Sequence, residues 1–141
     1  MTREQIVEFL RRKNEAWIAR DLNALVATYA ENAVVVSPFG GVLEGRDDIE
    51  RTYRLWLSAF ADVEYLRDDP VVDGNRAVEI ARMKGTHTGD FFGLAPTGRR
   101  VEVQMAAVLT LENGLIREER RIYDFTGVLI QVGVLKAKPV S

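Results

Sequence analysis

The sequence predicts an α+β fold: a curved, mostly antiparallel sheet with three helices of the N-terminal half packed on its concave face, forming a cone with an internal pocket. Three observations predict it. Apolar residues recur at helical spacing only before Asp62, short β-like runs punctuated by turn residues follow it, and neither a βαβ alternation nor an internal repeat interrupts that order.

Thr2 followed by Gln5 makes a capping-box start, and Ile6, Phe9, Leu10 and Trp17 recur at helical spacing, which places an amphipathic helix over roughly residues 3 to 20. Asp21 is the N-cap of a second, shorter helix whose apolar face is Leu22, Leu25, Val26 and Tyr29. Val34-Val35-Val36 reads as a buried strand closed by Pro38 and the Gly40-Gly41 turn. A third helix begins near Asp47 or Asp48, where carboxylates suit the positive end of the helix dipole. Its stripe, Ile49, Tyr53, Trp56 and Phe60, lines three large aromatics along one face. Strand-like runs follow at Val63 to Leu66, Val71-Val72, Ala77 to Thr86 and Leu115 to Asp124. Asp73-Gly74, Pro96-Thr97-Gly98 and Asn113-Gly114 supply the reversals, so consecutive strands are antiparallel.

A chain of 141 residues and 15.9 kDa with 47% apolar content fits one domain spanning 1–141. Its 19 basic and 21 acidic side chains are interspersed and leave a net charge of −2, which offers no electrostatic footprint for nucleic acid or an anionic membrane. With no cysteine and one histidine there is no disulfide framework, no thiolate chemistry and no clustered ligand set, so a metal is not expected. No apolar run approaches the ~20 residues that span a bilayer, and Met1 to Ile6 lack the apolar core of a signal peptide. The reading is a cytoplasmic protein. The Gly89 to Gly98 segment lacks the strand-loop-helix setting and the lysine of a Walker motif.

Chemistry is expected around Gly85 to Asp124, which holds the lone His87 and a carboxylate at a strand end. Along the last strand one face carries Ile116, Glu118, Arg120, Ile122 and Asp124, the other Leu115, Arg117, Glu119, Arg121 and Tyr123. The second is more charged and is assigned outward, which points Asp124 into the cone, where lost hydration would raise its pKa toward the useful range. Arg120 beside it would instead make a buried ion pair, and a strand-end aspartate can also serve by bonding backbone amides. The imidazole of His87 is placed to polarise a substrate carbonyl or to hold a loop. Tyr53, Trp56 and Phe60 pack the core and wall the pocket at once, with Phe39 and Phe92 at its mouth.

Taken together, Trp17 to Asn32, Gly45-Arg46, the run from Gly85-Thr86-His87-Thr88-Gly89 through Pro96-Thr97-Gly98-Arg99, and Gly114-Leu115-Ile116 leading to Asp124 resemble the SnoaL-like polyketide cyclases of the nuclear-transport-factor-like superfamily. The resemblance implies a cofactor-free intramolecular aldol closure on a polyketide-derived aromatic ester, with Asp124 matching the family's acid/base aspartate and His87 its Thr-His motif. It departs at Arg120, where many relatives carry an aromatic, and at Arg121, which places a charge beside the proposed acid. The expected function is a cyclase or isomerase acting on an apolar, carbonyl-bearing molecule. The alternatives are a hydrolytic relative, for which a second aspartate beside Arg120 and Asp124 is missing, and a non-catalytic binding or dimerising domain. The apolar run Val128 to Leu135 is expected to cap the cone or to join a partner subunit, and a homodimer is expected.

Overall fold

Thr2 caps the first helix in the computed structural model, which describes residues 1–136. Its hydroxyl accepts from the Gln5 N–H at 3.1 Å while Gln5 returns a bond to the Thr2 N–H at 2.7 Å. Helix α1 (Arg3–Ile18) then buries Ile6, Leu10, Lys13 and Trp17, so a lysine occupies its apolar stripe. Asp21 caps α2 (Leu22–Ala27). Strands β1 (Tyr29–Ser37) and β2 (Gly41–Glu44) lead into α3 (Gly45–Ala59), whose Ile49, Tyr53 and Trp56 are buried together with Phe60 at its C-cap.

The second half is the expected run of strands: β3 (Glu64–Arg67), β4 (Val71–Asp73), β5 (Arg76–Thr86), β6 (Arg100–Glu112) and β7 (Leu115–Tyr123). Asn113 and Gly114 both take positive φ, 53° and 77°, as the tight β6–β7 hairpin requires. The sheet order is β2-β1-β7-β6-β5-β3, with β4 also pairing β5. All pairs are antiparallel except β1 with β7, so the sheet is mixed. The helices cover its inner face, on which Val35, Ala77, Ala81, Leu109 and Ile116 join Ile6, Leu10 and Ile49 in the core. No helix among the described residues is long and apolar enough to cross a membrane.

Two features depart from the sequence reading. Leu111 pairs with Ile116 but Thr110 pairs with Glu118, which leaves Arg117 without a partner as a β-bulge. One extra residue reverses the parity of everything after it. The inward face of β7 is therefore Glu119 and Arg121, both buried, with Tyr123 half-buried, while Glu118, Arg120 and Ile122 face outward. A fourth helix, α4 (Phe125–Gln131), follows at once. Its Val128 is buried, as is Val132 just beyond it, and the Gln131 amide bonds the backbone N–H and C=O of Glu102 at 2.7 and 2.9 Å. The C-terminal apolar run thus seats partly on β6, while Val134 and Leu135 stay exposed.

Candidate functional site

The interior cavity lies between α1, α3 and the inner face of β3, β5, β6 and β7. Trp17, Trp56, Met83, Val103 and Met105 form its apolar wall, and Lys13, Tyr53, Tyr65, Glu119, Arg121 and Tyr123 its polar one. The free space is small, about 30 Å³, room for about two waters. At the rim an open groove of about 480 Å³ is lined by Phe39, Phe91, Phe92, Leu94, Phe125 and Leu129. Phe39 contacts Trp56 and Phe125 at centroid distances of 5.5 and 5.6 Å, and Tyr123 contacts the same two rings at 6.0 and 6.4 Å. Aromatic rings thus make the partition between groove and cavity.

Three residues of the polar wall, Glu119, Arg121 and Tyr53, are joined into one cluster through Tyr29. Glu119 accepts from Tyr29 Oη and from Arg121 Nε, each at 2.5 Å, and Tyr29 Oη lies 2.7 Å from Tyr53 Oη. Arg121 also reaches Tyr29 Oη at 3.3 Å and lies over the Tyr53 ring at 4.9 Å. Across the cavity Glu79 pairs with Arg67 at 3.0 Å and with Lys13 at 3.6 Å. Burial alone would push the Glu119 carboxyl up, but Arg121, Lys13 and the Tyr29 hydroxyl outweigh it and hold it below the ordinary 4.5. Burial works to lower Lys13, and the surrounding oxygens of Tyr53, Tyr29, Glu79 and Glu119 hold it well above 10.5 instead.

This fixes the sign of an acid effect. The unfolded chain protonates Glu119 more readily than the folded one, so the stability it contributes is fully present above pH 4.5 and is lost as pH falls through its lowered folded value. Thermal midpoints measured from neutral pH down to about pH 3 should fall steeply at the acid end, and Glu119→Gln should flatten that fall. An identical acid slope in the variant would assign the effect to other carboxylates.

Of the sequence-predicted residues, Tyr53 and Trp56 line the cavity. Phe39 and Phe92 line the groove. Phe60 packs between Trp56 and His87, behind the cavity wall. His87 is fully buried and lines neither space. Its Nδ1 accepts from the Thr97 N–H at 3.2 Å, which assigns the ring proton to Nε2, and among the described residues Nε2 has no hydrogen-bond partner beside Phe60 and Phe91. With its backbone bonded to Arg99 and Gly98, His87 pins the β5–β6 loop. Arg120 lies exposed on the outer face, beside Val34, Val36 and Ile122, and among the described residues forms no ion pair with Asp124. Asp124 is exposed and caps α4, its Oδ1 accepting from the Gly127 N–H at 2.8 Å. The bulge at Arg117 turns the inward face of β7 over to Glu119 and Arg121, so Asp124 does not point into the cone. Sequence reasoning missed Lys13, Glu119 and Arg121, although Lys13 at +3 from Leu10 and −4 from Trp17 stands in an apolar stripe.

Among the described residues no group of three or more His, Asp or Glu side chains could hold a metal ion. No curated protein matches the sequence significantly. Among solved structures, a candidate SnoaL-like polyketide cyclase from Jannaschia sp. CCS1 is 25% identical with a TM-score of 0.84, covering 94% of each chain. IdmH, a candidate polyketide cyclase from Streptomyces antibioticus, is 26% identical with a TM-score of 0.75, over 89% of this chain and 96% of its own. AclR, a candidate hydroxylase from Streptomyces galilaeus, shares the fold at 22% identity and a TM-score of 0.83, over 96% of this chain and 85% of its own. The family description SnoaL-like polyketide cyclase matches residues 7–132. Carrying that match over most of its length together with the cone and its lined pocket, the chain belongs to the SnoaL-like polyketide cyclase family.

Proposed function

We propose that this protein is a cofactor-free acid/base enzyme of the cyclase or isomerase kind, closing a ring by an intramolecular aldol step on an apolar, carbonyl-bearing small molecule of polyketide type. The observation that carries the reading is the cavity wall, where Lys13, Arg121 and Tyr53 donors converge with a carboxylate, Glu119, opposite tryptophans and methionines. Buried cations and a hydroxyl beside a carbonyl oxygen stabilise the negative charge that grows there as an α-proton leaves. Glu119 takes that proton, the enolate carbon bonds to a second carbonyl carbon of the same molecule, and the new alkoxide receives a proton from Tyr53. The hydrogen-bonded chain Tyr53–Tyr29–Glu119 returns the first proton to Tyr53. The groove admits the apolar body, and the Phe39 and Trp56 rings must turn aside for it.

Asp124 and His87, the residues that match the family's motifs, act in this reading through shape. Asp124 seats α4, which walls the groove with Phe125 and Leu129, and His87 fixes the loop that carries Phe91 and Phe92. The test is turnover of aromatic β-keto esters by three proteins. Glu119→Gln should lower kcat about 10²- to 10⁴-fold, while Asp124→Asn, which keeps an N-cap, should stay near wild type. If Asp124→Asn loses turnover and Glu119→Gln does not, proton transfer occurs at the rim and the interior assignment fails.

The narrow cavity of about 30 Å³ favours a second reading, a non-catalytic binding or dimerising domain. That reading expects ligand binding without turnover in all three proteins. A homodimer belongs to either reading, and light scattering at micromolar concentration would show it.

A further inference from the structure

The charges around the cavity do not balance. Lys13, Arg67 and Arg121 are positive, Glu79 and Glu119 negative, and each of the five side chains is at most 11% exposed. One positive charge is left over. The tyrosines do not cancel it, because burial first, and the nearby carboxylates after it, push the Tyr29 and Tyr65 hydroxyls up and keep them neutral. The surplus also has free donors. Among the described residues Lys13 Nζ makes no hydrogen bond, its nearest anion being the Glu79 Oε1 at 3.6 Å, and that oxygen is itself without a hydrogen-bond partner. Arg121 uses Nε and Nη2 on Glu119 and Tyr29 and, among the described residues, leaves Nη1 unbonded. Both side chains line the cavity.

A buried cation without a full set of partners is costly unless a counter-charge arrives. We infer that the cavity, once the Phe39 and Trp56 rings turn aside, takes a ligand that is an anion before any reaction begins: a mostly apolar small molecule whose single carboxylate is held by Lys13 and by Nη1 of Arg121. The carboxylate follows from timing. An enolate forms only during turnover, whereas the surplus charge is present in the resting protein. This inference rests on the interior cavity being the binding site, as proposed above, and narrows the substrate to a carboxylic acid.

Both tryptophans of the chain, Trp17 and Trp56, line the cavity, so intrinsic fluorescence reports directly on its occupancy. Wild type is titrated with benzoate and with benzamide, which has nearly the same shape and no charge. Benzoate should bind about tenfold or more tightly than benzamide, on the scale of charge-assisted hydrogen bonds. Lys13→Met, with folding checked by circular dichroism, should abolish that preference, and Lys13→Arg should restore it. If Lys13→Met does not fold, the wild-type preference and its retention in Lys13→Arg decide the matter. Equal affinity of wild type for both probes, or a preference that survives Lys13→Met, overturns the inference and leaves the pocket in place. Failure of both probes to bind overturns the pocket and the inference together.

Discussion

Arg121→Leu is expected to cost about 3–5 kcal/mol of folding stability, the scale for a buried charge that loses its partner. In the folded protein the guanidinium donates to Glu119 at 2.5 Å and to Tyr29 at 3.3 Å, and both partners are buried. Without it, Glu119 keeps only Tyr29 as a direct partner, and its carboxylate stays in a site where water is scarce. Denaturant unfolding would show the loss as a lower midpoint at constant slope. The double variant Glu119→Leu/Arg121→Leu should recover much of it, since an apolar pair in place of a buried ion pair is often neutral. A single-variant loss below about 1 kcal/mol would put the pair in the class of solvated surface bridges.

Gly89→Ala is expected to cost about 3 kcal/mol, at the upper end for overpacking. A Cβ at Gly89 would stand 2.0 Å from the Ser58 carbonyl oxygen and 2.9 Å from its carbon. Both are backbone atoms and cannot rotate away. The N–H groups of Thr88 and Gly89 donate to the Ala59 carbonyl at 3.0 and 3.1 Å, so this loop satisfies the last turn of α3, and relieving the clash means breaking those bonds. Gly85→Ala is the comparison: its Cβ would stand 3.0 Å from the Phe60 Cβ, a milder approach than the 2.0 Å at Gly89, and the loss should be smaller. Equal midpoints for Gly89→Ala and wild type would mean the loop does not rest on α3. Because that loop carries Phe91 and Phe92, the variant should also weaken ligand entry through the groove.

The first three helices and the turns were legible because their signals are local. The Thr2 and Asp21 caps, the Ile49, Tyr53, Trp56 and Phe60 stripe and the Asn113-Gly114 reversal each depend on a few neighbouring residues. The site was less legible because its logic is long-range. Period-two alternation places a strand's side chains only while the register is unbroken, and nothing near Arg117 announces a bulge. The rule that the more charged face looks outward failed on β7 because Glu119 and Arg121 neutralise each other inside. Asp124 reads as a strand end from the run before it and as a helix cap from Gly127 and Val128 after it, and the structure takes the second. Lys13 in an apolar stripe, and Glu79 alternating with buried Ala77, Ala81 and Met83, were the signs of a polar interior. Phe39 and Phe92 lie together, 3.8 Å apart between centroids.

The parallel pairing of β1 with β7 sets an order of events during synthesis. β1 occupies residues Tyr29–Ser37, yet its second neighbour, β7, begins only at Leu115. Until the ribosome has released the chain as far as β7, the Val34-Val35-Val36 segment carries a naked edge of amide and carbonyl groups, a template for sticking to another nascent copy. Joining segments so far apart along the chain is also entropically slow. Shortened products ending before β7 should therefore clump rather than fold.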